Sequence, residues 1–149
     1  MGECGMRVVA GIVAVVALSA CQPAELKADK AWVRLPAVTG QPGAAYFTIR
    51  GGGQADTLVA VAAPFALKAE MHESMKGDHG MMSMAPAKDI PVPAGATVTF
   101  APGGKHVMLF SVGPNVKPGD TVPVTLSFAS GKKIEAPAKV VGAGDPAPK

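Results

Sequence analysis

Thr121-Val122-Pro123-Val124-Thr125-Leu126-Ser127-Phe128 is the stretch that decides the fold class. Val122, Val124, Leu126 and Phe128 alternate with Thr121, Pro123, Thr125 and Ser127, the period of two that sends successive side chains to opposite faces of a strand. Ser130-Gly131-Lys132 supplies a turn, after which Ile134 to Val141 reads as a second strand. Upstream the same rhythm repeats: short apolar runs are cut by Pro or Gly at intervals of about ten residues. These runs are Ala44 to Ile49, Leu58 to Val61, Phe65 to Glu73, Thr97 to Phe100 and His106 to Ser111. No segment carries a capped amphipathic helix and there is no internal repeat. The chain therefore reads as an all-β sandwich or barrel.

Composition agrees with that class. Of 149 residues, 18 are Gly and 14 are Pro, 48% are apolar and 17% charged, which suits one loop-rich β domain. The net charge is only +3, and basic residues are nowhere interleaved with aromatics, so nucleic acid is excluded as a partner.

The N-terminal segment stands outside the fold. Arg7 gives a positive flank, Val8 to Leu18 is an apolar stretch of 11 residues, and Leu18-Ser19-Ala20-Cys21 closes it with small residues before a cysteine. This predicts a secretory signal peptide, too short to persist as a membrane-spanning helix. The ending resembles a bacterial lipobox, which implies that Cys21 is lipidated and becomes the mature N-terminus. The expected organisation is a signal peptide at 1–20, a lipid-anchored linker at 21–30, a folded domain at 31–141 and a disordered tail at 142–149. The membrane is then reached through the anchor alone, with the domain in the periplasm or at the envelope surface. Of the 2 cysteines, Cys4 leaves with the leader and Cys21 sits at the anchor. The domain keeps no thiol for a disulfide, a nucleophile, a blue-copper centre or an iron–sulfur cluster.

Methionine is distributed unusually. Five lie between Met71 and Met84, in Met71-His72-Glu73-Ser74-Met75-Lys76-Gly77-Asp78-His79-Gly80-Met81-Met82-Ser83-Met84, and Met108 follows His106 by two. Thioether and imidazole are neutral, soft-to-borderline donors that select Cu(I) over hard cations. They also remain usable where thiols are oxidised. On a strand, His106 and Met108 share a face. Methionine is also common core filler, the reading that suits Met71 and Met75 taken singly. The polar Gly77-Asp78-His79-Gly80 centre, however, leaves the neighbouring methionines without a core to fill.

These segments resemble the periplasmic copper(I) chaperone family PCuAC, whose motif is His, about ten residues, Met, twenty-one residues, then His-x-Met. Here 21 residues separate Met84 from His106, and 11 separate His72 from Met84, one more than usual. Met82 is consequently a competing ligand for Met84. The likeness extends to Ala31-Trp32-Val33-Arg34, Ala44 to Ile49, Ile90 to Gly95, Pro102 to Leu109 and Pro118 to Pro123. It implies a cupredoxin-like Greek-key β sandwich that binds Cu(I) through His72, Met84, His106 and Met108. It further implies a carrier of copper toward a receiving protein, such as cytochrome c oxidase subunit II with its binuclear copper site or another copper chaperone. General copper buffering or resistance is the alternative within that family. Met75, His79, Met81 and Met82 are either a secondary metal set or a solvated loop. Glu73 is either an orienting partner of His72 or an ordinary exposed glutamate.

Two other functional classes compete. An enzyme is disfavoured, because Ser74 and Ser83 lack a nucleophile-elbow context and no acidic pair stands out. A structural envelope lipoprotein fits the anchor and the sandwich but leaves the methionine clustering without a cause.

Overall fold

In the computed structural model, which describes residues 23–149, the alternating stretch forms a strand at Thr121–Phe128 with Val124, Leu126 and Phe128 buried. Numbered along the chain, the strands are β1 Lys27–Arg34, β2 Gly43–Arg50, β3 Asp56–Ala62, β4 Ala66–Lys76, β5 Met82–Pro86, β6 Ile90–Val92, β7 Thr97–Phe100, β8 Lys105–Val112, β9 Thr121–Phe128 and β10 Lys133–Val141. The only helical element among the described residues is a single 3₁₀ turn at Asp78–Gly80. The expected signal peptide and Cys21 lie outside the described residues.

The strands form one hydrogen-bonded path, β5-β4-β8-β2-β1-β10-β9-β3-β6, with β7 also on β2. The path folds over so that its inner faces enclose Phe47, Ile49, Leu58, Val107, Leu109 and Leu126, each almost wholly removed from water. This is the all-β sandwich that the sequence predicts. β1 and β10 run parallel, and every other pairing is antiparallel.

Pro123 of β9 and Pro137 of β10 stand directly opposite each other. Neither has an N–H to donate, so the pair fits only where no bond is exchanged between them. Beyond them the outer neighbours are absent: β3 pairs with β9 only from Thr125 onward, and β1 pairs with β10 only from Lys139. Two prolines inside the sheet therefore forfeit no ladder bond.

The boundary expected at Ala31 is corrected. β1 begins at Lys27, and Leu26 is buried in the core. Lys27, Ala28 and Asp29 pair with Arg50, Ile49 and Thr48, while the Gly53 N–H donates to Ala24 O at 2.7 Å. The polar residues of 27–30 project outward while the backbone completes a ladder, so polarity there marks a solvated face and not a tether. The start of the expected tail is also held. Gly142 N–H donates to Asp145 Oδ2 at 2.8 Å, and the Arg34 guanidinium donates to Asp145 O at 3.2 Å.

β2 positions the site. Its first half pairs with β8 and its second half with β7, so the chain must step from one register to the next within Ala101-Pro102-Gly103-Gly104. Gly103 supplies the left-handed residue (φ 83°), and the turn closes with Gly104 N–H to Ala101 O at 3.1 Å. β8 then leaves this turn directly into Lys105-His106.

Candidate metal site

β4 and β8 are antiparallel, with His72 opposite His106 and Glu70 opposite Met108. Directly opposed residues share a face, so both imidazoles, Glu70 and Met108 lie on one side of the two strands. On the other side, Met71, Val107 and Leu109 enter the core. β5 adds Met84 opposite Ser74 and Met82 opposite Lys76, placing both thioethers on the histidine face.

The two rings stack with centroids 6.0 Å apart and planes inclined by 27°. His106 is buried, and its Nδ1 lies 2.9 Å from Gly104 O. A carbonyl only accepts, so Nδ1 carries the hydrogen and the Nε2 lone pair is left free as a donor to a metal. The same carbonyl accepts from Ser74 N–H at 3.2 Å, which locks the turn to β4.

His72 is less constrained chemically. Both of its ring nitrogens are buried and neither has a hydrogen-bond partner. A buried imidazole left unpaired is costly unless something else occupies its lone pair. Nε2 does lie 3.5 Å from Glu70 Oε2, a contact too long to satisfy it. Glu70 in turn pairs with Lys68, and that ammonium is the main cause holding its carboxyl below the ordinary range. The pair keeps the surroundings of His72 close to electrically neutral.

No group of three or more His, Cys, Asp and Glu side chains among the described residues is placed to hold a metal ion. Any cluster built around the paired imidazoles therefore draws on thioether sulfur. Met108 is partly buried, whereas Met84 is exposed. The choice between Met84 and Met82 is one of register. Met84 is opposite Ser74, a single same-face step from His72, and Met82 is two steps away.

The other sequence-selected residues divide. Met75 is opposite Ser83 and belongs to the face that carries Met71, away from the histidines. His79 and Met81 lie in the turn joining β4 to β5. Glu73 points away from His72 and pairs with Lys105 at 2.8 Å. The carboxylate beside His72 is Glu70, which sequence reasoning missed although its spacing of two from His72 carried the signal. Met71 packs in the core.

A family model described as "Putative lipoprotein LpqE-like" matches residues 26–140. The chain belongs to the LpqE-like family. The match starts at the buried Leu26 and runs through all ten strands to Val140, one residue short of the end of β10. A protein of Leifsonia xyli subsp. xyli, "Putative lipoprotein Lxx21020", is 32% identical over 108 residues, or 71% of this chain. The matched region spans 63% of that relative's length, less than two thirds.

Solved structures of PCuAC domains share the fold. A copper-bound PCuAC domain from PmoF2 superposes with a TM-score of 0.64 at 21% identity, covering 81% of this chain and 98% of that domain. DR1885 from Deinococcus radiodurans matches in its apo form with a TM-score of 0.59 at 25% identity, over 97% of this chain and all of that one. Its CuI form gives 0.55 and 28%, over 85% and 83% respectively. The LpqE-like chain thus has the PCuAC type of sandwich that its motifs resemble.

Proposed function

We propose that this chain is a lipid-anchored, extracytoplasmic carrier of Cu(I), held by His72, His106, Met84 and Met108. The observation that carries the reading is the facing pair of imidazoles. One is fixed by Gly104 O with its Nε2 free, and the other has both ring nitrogens buried and neither bonded. Both are bordered by thioethers on the same strand face. The likeness to DR1885, which has been solved in a CuI form, supports the same cargo.

Two neutral imidazoles and two thioethers suit a monovalent soft ion and offer little to a hard or divalent one. Without thiolate they leave the bound ion removable, as a carrier requires. The function is binding and transfer rather than catalysis. The acceptor is a copper-receiving protein, such as the binuclear copper site of cytochrome c oxidase subunit II or another copper chaperone. Cys21 provides the anchor.

The test is a competition titration with a chromophoric Cu(I) chelator, using the full chain with Cys4 and Cys21 changed to serine so that no thiolate competes. One tight equivalent of Cu(I), with far weaker response to Cu(II) and Zn(II), is expected. The double variant His106→Ala, Met108→Ala loses that equivalent while keeping its β-sheet circular dichroism. Absence of tight Cu(I) binding in the parent chain overturns the reading, and its retention in the double variant overturns the ligand assignment.

A further inference from the structure

The β4–β5 hairpin extends beyond the four residues just assigned, and its chemistry is not explained by packing. Met81 is 73% exposed and Met82 58% exposed. Exposed thioethers on a surface hairpin gain nothing from burial. Between them and β4 the chain turns through Gly77–Gly80, closed by Gly77 N–H to Met81 O at 2.8 Å. Within that turn His79 takes a left-handed conformation, φ 65° and ψ 21°, and is exposed. Histidine enters that region at a cost that glycine does not incur, although glycines stand on either side at 77 and 80. The imidazole thus stands at the tip of the hairpin, two residues before Met81 and three before Met82.

Register connects this tip to the histidine pair. Met82 and Met84 are both on the histidine face of β5, one opposite Lys76 and the other opposite Ser74. Same-face neighbours on a strand are about 6.8 Å apart at Cα. Two methionine side chains span that distance, so an ion can exchange from one sulfur to the next without leaving the face. β5 is the terminal strand of the sheet path, and its outer side carries no pairing strand among the described residues. The approach from solvent is open.

We infer that His79, Met81 and Met82 form a second, exposed Cu(I) site at the hairpin tip, which captures the ion and passes it through Met84 to the buried His72–His106 pair. The inference rests on the copper reading above and adds to it an entry site and a direction. Soft neutral donors with no thiolate and no burial bind Cu(I) more weakly than the enclosed pair, as a capture site must if the ion is to move inward. Transfer is ligand exchange: a Cu–S bond to Met84 forms as a bond to Met82 breaks, with no change of oxidation state. Met75, on the opposite face, has no part in it.

The experiment uses the full chain with Cys4 and Cys21 changed to serine, and compares it with a triple variant, His79→Asn, Met81→Leu, Met82→Leu. Asparagine tolerates the left-handed conformation, and leucine keeps the apolar volume. Cu(I) is supplied as a bis-chelator complex, and both the binding isotherm and the stopped-flow rate of capture are read. The parent chain is expected to take one tight and one weaker equivalent. The triple variant keeps the tight equivalent, loses the weaker one and captures Cu(I) at least tenfold more slowly. The His106→Ala, Met108→Ala variant shows the converse, keeping only the weaker equivalent. A parent chain with one tight equivalent alone, or a triple variant that keeps both equivalents and the parent rate, overturns the hairpin site and leaves the carrier reading intact. A parent chain that binds no Cu(I) overturns both.

Discussion

His72 and His106 face each other across β4 and β8 with ring centroids 6.0 Å apart, yet only one of them has its ring tied down. Gly104 O accepts from Nδ1 of His106, whereas neither ring nitrogen of His72 has a hydrogen-bond partner, and its Nε2 lies 3.5 Å from the Glu70 carboxylate. The pair is half fixed and half adjustable, which suits the holding and release of an ion that the proposed carrier role requires.

The Glu70 carboxylate gives this asymmetry a measurable consequence. Its negative charge attracts any cation bound at His72, but its side chain is 38% exposed and shared with Lys68, so solvent and salt weaken the effect. Glu70→Gln is expected to lower Cu(I) affinity by about two- to fivefold near 0.01 M ionic strength, with the difference fading near 1 M, where the Debye length is only about 3 Å. Competition titrations at the two salt concentrations check this. An unchanged affinity at low salt would remove Glu70 from the site's electrostatics.

Register assigns unequal roles to two methionines that the sequence leaves in competition. Met84 stands one same-face step from His72, and Met82 stands two steps away. Met84→Leu is expected to weaken the tight Cu(I) equivalent by about tenfold or more, roughly 1.4 kcal/mol, and Met82→Leu to leave it within about twofold. The reverse order in the same titration would assign the ligand to Met82.

Leu26 marks where the ordered domain begins. Its side chain is 8% exposed and belongs to the core cluster. Leu26→Ala removes buried methyl groups and is expected to cost about 2–3 kcal/mol, read from urea or thermal unfolding. A chain starting at residue 31 should lose more, because it also forfeits the ladder from Lys27 to Asp29 along β2. Equal stability of the shortened chain would restore the boundary to Ala31.

Legibility followed the range of the interactions. Alternation in Thr121–Phe128 is a local property of a half-buried strand, so β9 was readable from its own residues, as was the shared face of His106 and Met108. The apposition of His72 and His106 was not readable, because it is set by the register of β4 on β8, a pairing between segments distant in sequence. β5 was hidden because Met-Ser-Met-Ala-Pro has no β-branched residue and follows a glycine-rich turn. Leu26 was hidden because one apolar residue among polar neighbours carries no period. Glu73 is adjacent to His72 in sequence, but adjacency in a strand places side chains on opposite faces, and it is Glu70, two residues away, that shares the face of His72.

Asp56 provides a test of stability against pH that is independent of the metal site. It opens β3 and ties that strand to the β9–β10 turn. Its Oδ1 accepts from Thr57 N–H at 2.8 Å and Ser130 N–H at 3.2 Å, and its Oδ2 from the Ser130 hydroxyl at 2.5 Å. The Ser130 hydroxyl is the leading cause that holds the Asp56 carboxyl below its ordinary value. A carboxyl depressed in the folded state binds its proton more readily when the chain unfolds. The stabilisation is therefore complete above the ordinary carboxyl range, about 3.9, and is lost as pH falls through the lower folded value. The group is well solvated, so the effect is small. Asp56→Ala is expected to lower Tm by about 2–4 °C at neutral pH, and the gap from the parent chain should shrink as the melts are repeated below about pH 4. A gap that stays constant down to the most acidic melt would assign the loss to turn geometry and not to the ionised carboxylate.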